Sequence, residues 1–217
     1  MVKIAPSILA ADLMDMTNEI KLVDANGADY IHIDVMDGHY VNNIAFGPNM
    51  VKSMRPHTKK ILDVHLMISP VKKFVDEFIA AGADIISFHP DADKNSRDIL
   101  NQIKSANCKA GIAIHPKVSI NEIVSFLDLI DIVIVMTVVP GFGGQKFMQS
   151  EVNKIIELSK IRKKRNLSYE IEIDGGINFE NCSLAKQAGA NILVSGSTIF
   201  KENKGDLKKN IEILRKN

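Results

Sequence analysis

The chain has 217 residues, 46% hydrophobic and 24% charged, a balance that suits one globular unit with a full buried core. Its 27 Lys and Arg against 26 Asp and Glu leave a formal charge of +1, so no overall field draws it to nucleic acid or a membrane surface, and any anion must be held locally. Two cysteines make neither a disulfide framework nor a metal-ligand spacing, which points to a reducing cytoplasm, and no stretch approaches the roughly 18 uncharged apolar residues of a membrane span.

Met1 to Pro6 run directly into a strand pattern, without a basic leader or signal-type apolar core. Short β-branched runs then recur at 3–8, 30–35, 60–66, 84–88, 109–114, 131–135, 169–173 and 191–194, giving eight expected strands. Between them the apolar spacing turns helical. Val71, Phe74, Val75, Phe78 and Ile79 follow i, i+3, i+4, i+7, i+8; Ile120, Ile123, Val124 and Leu127 repeat the period; Leu207, Ile211 and Leu214 close the chain with it. Gly27, Gly82 and Gly189 each stand between a helix pattern and the next strand, where a glycine takes the left-handed conformation cheaply. The basic run Arg162-Lys163-Lys164-Arg165 reads as the solvated end of a helix. Eight strand–helix units with near-continuous apolar strands predict a single-domain closed parallel (β/α)8 barrel, the TIM-barrel architecture, over 1–217. The rival, an open doubly wound sheet, wants a glycine fingerprint after the first strand, and Pro6-Ser7-Ile8-Leu9-Ala10 is not one.

Side chains alternate faces along a strand. Tyr30, His32, Asp34 and Met36 therefore share one face and Ile31, Ile33 and Val35 the other; in a barrel the apolar set meets the helices, which sends His32 and Asp34 inward near the C-terminal mouth. The same parity turns His65 and Met67 inward, and Glu172 and Asp174. His32, Asp34, His65 and Asp174 thus converge where barrel enzymes hold their active sites. Buried together, such groups must pair or bind a cation. The plain alternative is a hydrogen-bonded His–Asp network, which suffices for one histidine but poorly for four converging donors. Mixed imidazole and carboxylate donors suit Zn, Mn, Fe(II) or Co better than Mg or Ca. Asp63 and Glu172, a layer deeper, are candidates to orient the ligands.

Met136-Thr137-Val138-Val139-Pro140-Gly141-Phe142-Gly143-Gly144-Gln145, Asp174-Gly175-Gly176 and Ser195-Gly196-Ser197-Thr198 place glycine-bearing loops after the last three strands, with a short helix expected behind the third. Exposed backbone N–H groups in such loops cradle phosphate, and this end of a barrel commonly does so. One Pro-Gly-x-Gly-Gly segment alone could be a plain loop. Met36, Met67 and Met136, at or just past strand ends, either fill core or form a soft collar around a bound ligand. His89 and His115 read as rim residues beside loops, and His39 and His57 as surface positions.

Ser7-Ile8-Leu9-Ala10-Ala11-Asp12, His32-Ile33-Asp34-Val35-Met36-Asp37-Gly38, His65-Leu66-Met67, Pro140-Gly141-Phe142-Gly143-Gly144-Gln145 and Asp174-Gly175-Gly176-Ile177 resemble the ribulose-phosphate 3-epimerase family, in the family's order across nearly the whole chain. The resemblance implies a metal on His32, Asp34, His65 and Asp174, proton transfer by Asp34 and Asp174, and substrate contacts from Ser7 and His65. It also implies phosphate-side contacts from the loop Gly141, Phe142, Gly143 and Gly144, and from Gly175, Gly176, Gly196 and Ser197. Val139, Asn42 and His115 depart from residues common in the family, and His115 could alter the rim. The related allulose-6-phosphate 3-epimerase group differs after the first glycine of the Asp174 motif, where Gly176 is similar to the pentose enzyme.

The expectation is a reversible, metal-dependent epimerisation of D-ribulose 5-phosphate to D-xylulose 5-phosphate at C3, through a cis-enediolate and with no organic cofactor. The partners expected are a small sugar phosphate and further copies of the chain, as dimer or hexamer, but no nucleic acid or membrane. A barrel lyase or decarboxylase would need an inward lysine at a strand end, which no strand offers. A non-catalytic phosphosugar sensor could lose one of the two aspartates, and both are present.

Overall fold

A computed structural model describes residues 1–216. Each β-branched run forms a strand whose ends lie within two residues of the expected ones: β1 (Lys3–Pro6), β2 (Tyr30–Asp37), β4 (Ile61–Met67), β5 (Ile85–Phe88), β6 (Lys109–Ile114), β7 (Ile132–Met136), β8 (Glu170–Asp174) and β9 (Ile192–Ser195). A further two-residue strand, β3 (Ile44–Ala45), folds back antiparallel on the end of β2. The helices are α1 (Met16–Ala25), α2 (Pro48–Met54), α3 (Val75–Ala81), α4 (Ser96–Ser105), α5 (Val152–Lys164), α6 (Cys182–Ala188), α7 (Ser197–Lys201) and α8 (Leu207–Lys216).

Apart from the antiparallel β3, the strands run parallel in the order β1-β9-β8-β7-β6-β5-β4-β2. The ring closes between β1 and β2 through the parallel bridge of Ser7 to His32 and the bond from Asp29 N–H to the Ile4 carbonyl, 3.0 Å. Ile31, Ile33, Val35, Val64, Leu66, Ile171 and Ile173 face the helices, meeting Val23, Phe78, Ile99, Ile155 and Ile211 in one buried layer. Ala5, Tyr30, Ile85, Ala113, Ile134, Met136, Ile192 and Val194 fill the barrel interior. Burial on both faces is why the strands read as near-continuous apolar runs, each fully buried Ile or Leu contributing roughly 1.5–3 kcal/mol.

The recurring loop chemistry has a physical basis. Gly82 and Gly189 end α3 and α6 with φ of 96° and 116°, and the N–H of the following alanine reaches back to Phe78 and Ala185 at 3.2 Å. The next residue then clamps the base of the neighbouring strand. Asp29 accepts from Ile4 N–H, Asp84 from Leu62 N–H and Asn191 from Ile171 N–H, all at 2.8–2.9 Å. One short motif thus ends a helix and fixes strand register.

Two local expectations are corrected. Ile120, Ile123, Val124 and Leu127 do not make an α-helix: the segment forms two 3-10 turns, Ile120–Glu122 and Val124–Phe126, with bonds three residues apart (Ile123 to Ile120, Phe126 to Ile123, Leu129 to Phe126). The i, i+3 apolar spacing serves either helix type, and Ile120, Ile123 and Leu127 are buried regardless. Val71 and Phe74 precede α3 in a turn instead of lying within it. The basic run does end α5, but Arg162 also donates to the Tyr169 carbonyl at 3.0 Å, so it ties the helix to the approach of β8. Cys108 and Cys182 are free and buried, and among the described residues no helix is long and apolar enough to cross a membrane.

Candidate functional site

Strand register stacks the inward polar residues in two layers. His32 pairs with Asp63 across β2 and β4, and Asp34 with His65 one step nearer the mouth. On the far side Glu172 and Asp174 occupy the matching levels of β8. The lower layer is thus His32, Asp63 and Glu172; the upper layer is Asp34, His65 and Asp174, with the His32 ring reaching up from below.

In the upper layer His32 Nε2 lies 3.5 Å from Asp34 Oδ1 and 3.9 Å from Asp174 Oδ2. His65 Nδ1 lies 3.7 Å from the same Asp34 oxygen and 3.6 Å from the same Asp174 oxygen. These separations exceed good hydrogen bonds. His32 Nε2 and His65 Nδ1 are both buried without a hydrogen-bond partner among the described residues. Four donors around one small divalent ion at about 2.0–2.2 Å would stand roughly 3.3–3.6 Å apart, so the set fits a shared cation better than a direct network. One donor atom from each of His32, Asp34, His65 and Asp174 falls within 4.8 Å of the others. The four expected ligands are brought together.

The lower layer and flanking groups hold these donors in place. Asp63 Oδ2 meets His32 Nδ1 at 2.7 Å, the carboxylate–imidazole pairing that fixes a ligand's tautomer. Glu172 Oε1 is 3.3 Å from the same nitrogen. Burial foremost, then the Asp63 charge, pushes the Glu172 carboxyl up to about 8. Burial works against a charged His32 and a charged His65, but the facing carboxylates outweigh it and raise both. Burial would likewise raise Asp34; the His32 and His65 imidazoles win, and hold it below the usual carboxylate range. Ser7 Oγ donates to Asp34 Oδ2 at 2.6 Å. Thr137 Oγ1 donates to the Gly175 carbonyl at 2.6 Å and thereby anchors the chain just past Asp174.

Above the donors opens a pocket lined by Ser7, Asp34, Met36, Met67, Met136, Gly141, Phe142, Gly143, Gly144, Asp174, Gly175, Gly176, Gly196 and Ser197. Every expected site residue therefore reaches it except His32 and His65, which form its buried floor. Leu9, Ala10, Val138, Pro140, Gln145, Ile177, Val194 and Ser195 line it as well; they come mainly from loops, which have no period to read. The expected short helix behind Gly196 is α7. Gly176 shows why the loops need glycine: its φ is +66° and a Cβ there would stand 2.6 Å from Phe147 N and 2.8 Å from the Gln145 carbonyl. Among the described lining residues none is Lys or Arg.

His89 corrects the reading as a rim residue. It is fully buried, its Nε2 3.0 Å from His65 Nε2. Burial, then the nearby His65 and His115 charges, lowers it well below the ordinary imidazole value. Parity could have found it, because Ile85, Ser87 and His89 continue one inward series past the end of β5. His115 does lie partly exposed beside Tyr40, Asn42 and Asp91, and His39 and His57 are exposed.

Comparison with known proteins follows the same lines. The model of the Ribulose-phosphate 3 epimerase family matches residues 3–200. The chain is 45% identical over 216 residues to ribulose-phosphate 3-epimerase of Bacillus subtilis (strain 168), covering 99% of each. It is 39% identical over 213 residues to the enzyme of that name from Escherichia coli (strain K12), covering 98% of this chain and 94% of the other. Among solved structures, a mutant tryptophan synthase alpha-subunit from the hyperthermophile Pyrococcus furiosus superposes with a TM-score of 0.72 at 18% identity, covering 99% of both chains, a likeness of fold alone.

Proposed function

Because the chain belongs to the ribulose-phosphate 3-epimerase family, and is thus an isomerase, we propose that it interconverts D-ribulose 5-phosphate and D-xylulose 5-phosphate by moving protons on and off C3. One observation carries this reading: two carboxylates, Asp34 and Asp174, face the same pair of buried imidazole nitrogens from strands β2 and β8, which β9 and β1 separate. Inverting a carbon needs a base on one face and an acid on the other, and carboxylates from separated strands meet that need.

In the forward direction Asp34 takes the C3 proton, and Asp174, protonated at that stage, returns one to the opposite face. The proton count of the sugar is unchanged and the configuration inverts. Ser7 holds the Asp34 carboxylate through its Oδ2. His32, Asp34, His65 and Asp174 would hold one divalent ion, of the Zn, Fe(II), Mn or Co class. When bound, it supplies Lewis-acid stabilisation of the negative charge that builds on the substrate's C2 and C3 oxygens. Met36, Met67 and Met136 line the pocket without adding charge and exclude water. With no cationic side chain among the described lining residues, phosphate recognition falls to backbone N–H groups of the Gly143–Gly144, Gly176 and Gly196–Ser197 loops.

The test compares kcat/KM for D-ribulose 5-phosphate, D-allulose 6-phosphate and unphosphorylated D-ribulose. D-Ribulose 5-phosphate should lead the hexose phosphate by about 10–200-fold, the scale of one missing or extra contact, and unphosphorylated D-ribulose by more. A preference for allulose 6-phosphate would overturn the pentose assignment, and equal use of D-ribulose would overturn the phosphate site.

A further inference from the structure

We propose that His89 is a positioning residue: its Nε2 accepts a hydrogen bond from the His65 Nε2–H, which leaves the His65 Nδ1 lone pair facing Asp34 and Asp174 for a cation. The inference rests on the reading of His32, Asp34, His65 and Asp174 as metal ligands. Two ring nitrogens 3.0 Å apart share one proton, so one of the pair donates and the other accepts. If His89 were the donor, a neutral His65 would carry its own proton on Nδ1. That nitrogen lies 3.6 and 3.7 Å from the nearest carboxylate oxygens and has no partner among the described residues. If His65 is the donor, the Nδ1 of the neutral ring carries no proton and is free to ligate a cation.

The position of His89 is costly unless it is used. The residue is fully buried, and its Nδ1 has no partner among the described residues. An unpaired buried polar group is unfavourable, so an apolar side chain would pack there more cheaply. Its ring is flanked instead by His65 on one side and Tyr40 on the other, each with centroids 5.1 Å away, and Tyr40 is itself tied to Asp91 at 3.0 Å.

The contrast with His32 gives the arrangement a chemical sense. Behind His32 stands the Asp63 carboxylate at 2.7 Å; behind His65 stands an imidazole. Asp34, Asp63, Glu172 and Asp174 already crowd acidic groups into two layers. A neutral acceptor orients the second imidazole without adding another negative charge. The two histidines then become unequal donors, His32 the more electron-rich.

Co2+ serves as the probe, its affinity measured by chelator competition and by its visible absorption in the wild-type protein, His89→Leu and His89→Gln. His89→Leu should weaken Co2+ binding by about 10–100-fold and change the absorption of the bound ion. His89→Gln, whose side-chain oxygen can accept from His65, should recover most of that loss. Thermal stability of metal-free His89→Leu should not fall in parallel, which separates orientation of a ligand from core packing. In the Zn2+-loaded wild-type protein, 15N spectra of the histidine rings should put the His65 proton on Nε2 and the His89 proton on Nδ1. A His89→Leu affinity equal to wild type, or a His89 proton on Nε2, would overturn the inference while leaving the ligand set standing. Failure of the wild-type protein to bind Co2+ or Zn2+ would overturn both.

Discussion

Asp34→Asn and Asp174→Asn should each lower kcat for D-ribulose 5-phosphate by about 10²–10⁴-fold, with metal kept saturating and the far-ultraviolet dichroism unchanged. Asparagine keeps the size of each side chain, and at position 34 its carbonyl can still accept from Ser7, but it cannot take or give the proton. The two variants should also differ from one another. With Asp34 intact, Asp174→Asn should still remove the C3 proton of D-ribulose 5-phosphate and exchange it with solvent without inversion. Asp34→Asn should lose that exchange and retain it toward D-xylulose 5-phosphate. Near wild-type turnover in either variant would contradict the acid–base assignment.

Stripping the protein with a chelator carries the second large effect. Lewis-acid stabilisation of developing charge is worth several kcal/mol, so turnover should fall by more than about 10²-fold. Mn, Fe(II), Co or Zn added singly should restore it, and Mg or Ca poorly, because two imidazoles among four donors favour the softer ions. The ion should also stabilise the fold by about 2.7 kcal/mol at a free concentration 100 times its Kd, read as a higher melting temperature. The buried nitrogens of His32 and His65 are the structural reason, since a cation gives both the partner they otherwise lack. Full activity in metal-free protein would contradict this part of the account.

Period-two alternation makes much of the site legible in the sequence. His32 and Asp34, His65 and Met67, and Glu172 and Asp174 all stand on strands that the helices cover on one face only, so the polar set had one direction to take. The barrel followed from eight β-branched runs and a repeated glycine turn whose next residue clamps a neighbouring strand. What could not be read depended on contacts between distant segments. His89 meets His65 only because β5 lies beside β4, and its place just before Pro90 resembled that of a loop residue. Val138, Pro140 and Ile177 line the pocket from loops, where no period reports direction. The stretch from Ile120 to Leu127 kept a helical spacing but folded into 3-10 turns, since apolar residues three apart bury equally well in both.

Proton movement at one carbon is the centre of the account, and proton spectra of metal-loaded protein turning over D-ribulose 5-phosphate in D2O observe it directly. The D-xylulose 5-phosphate formed should carry deuterium at C3 from the first turnover, while the protons at C1 and C4 persist. Formation of the epimer with its C3 proton retained, or deuterium entering at C1 or C4 instead, would contradict two carboxylates working on opposite faces of C3.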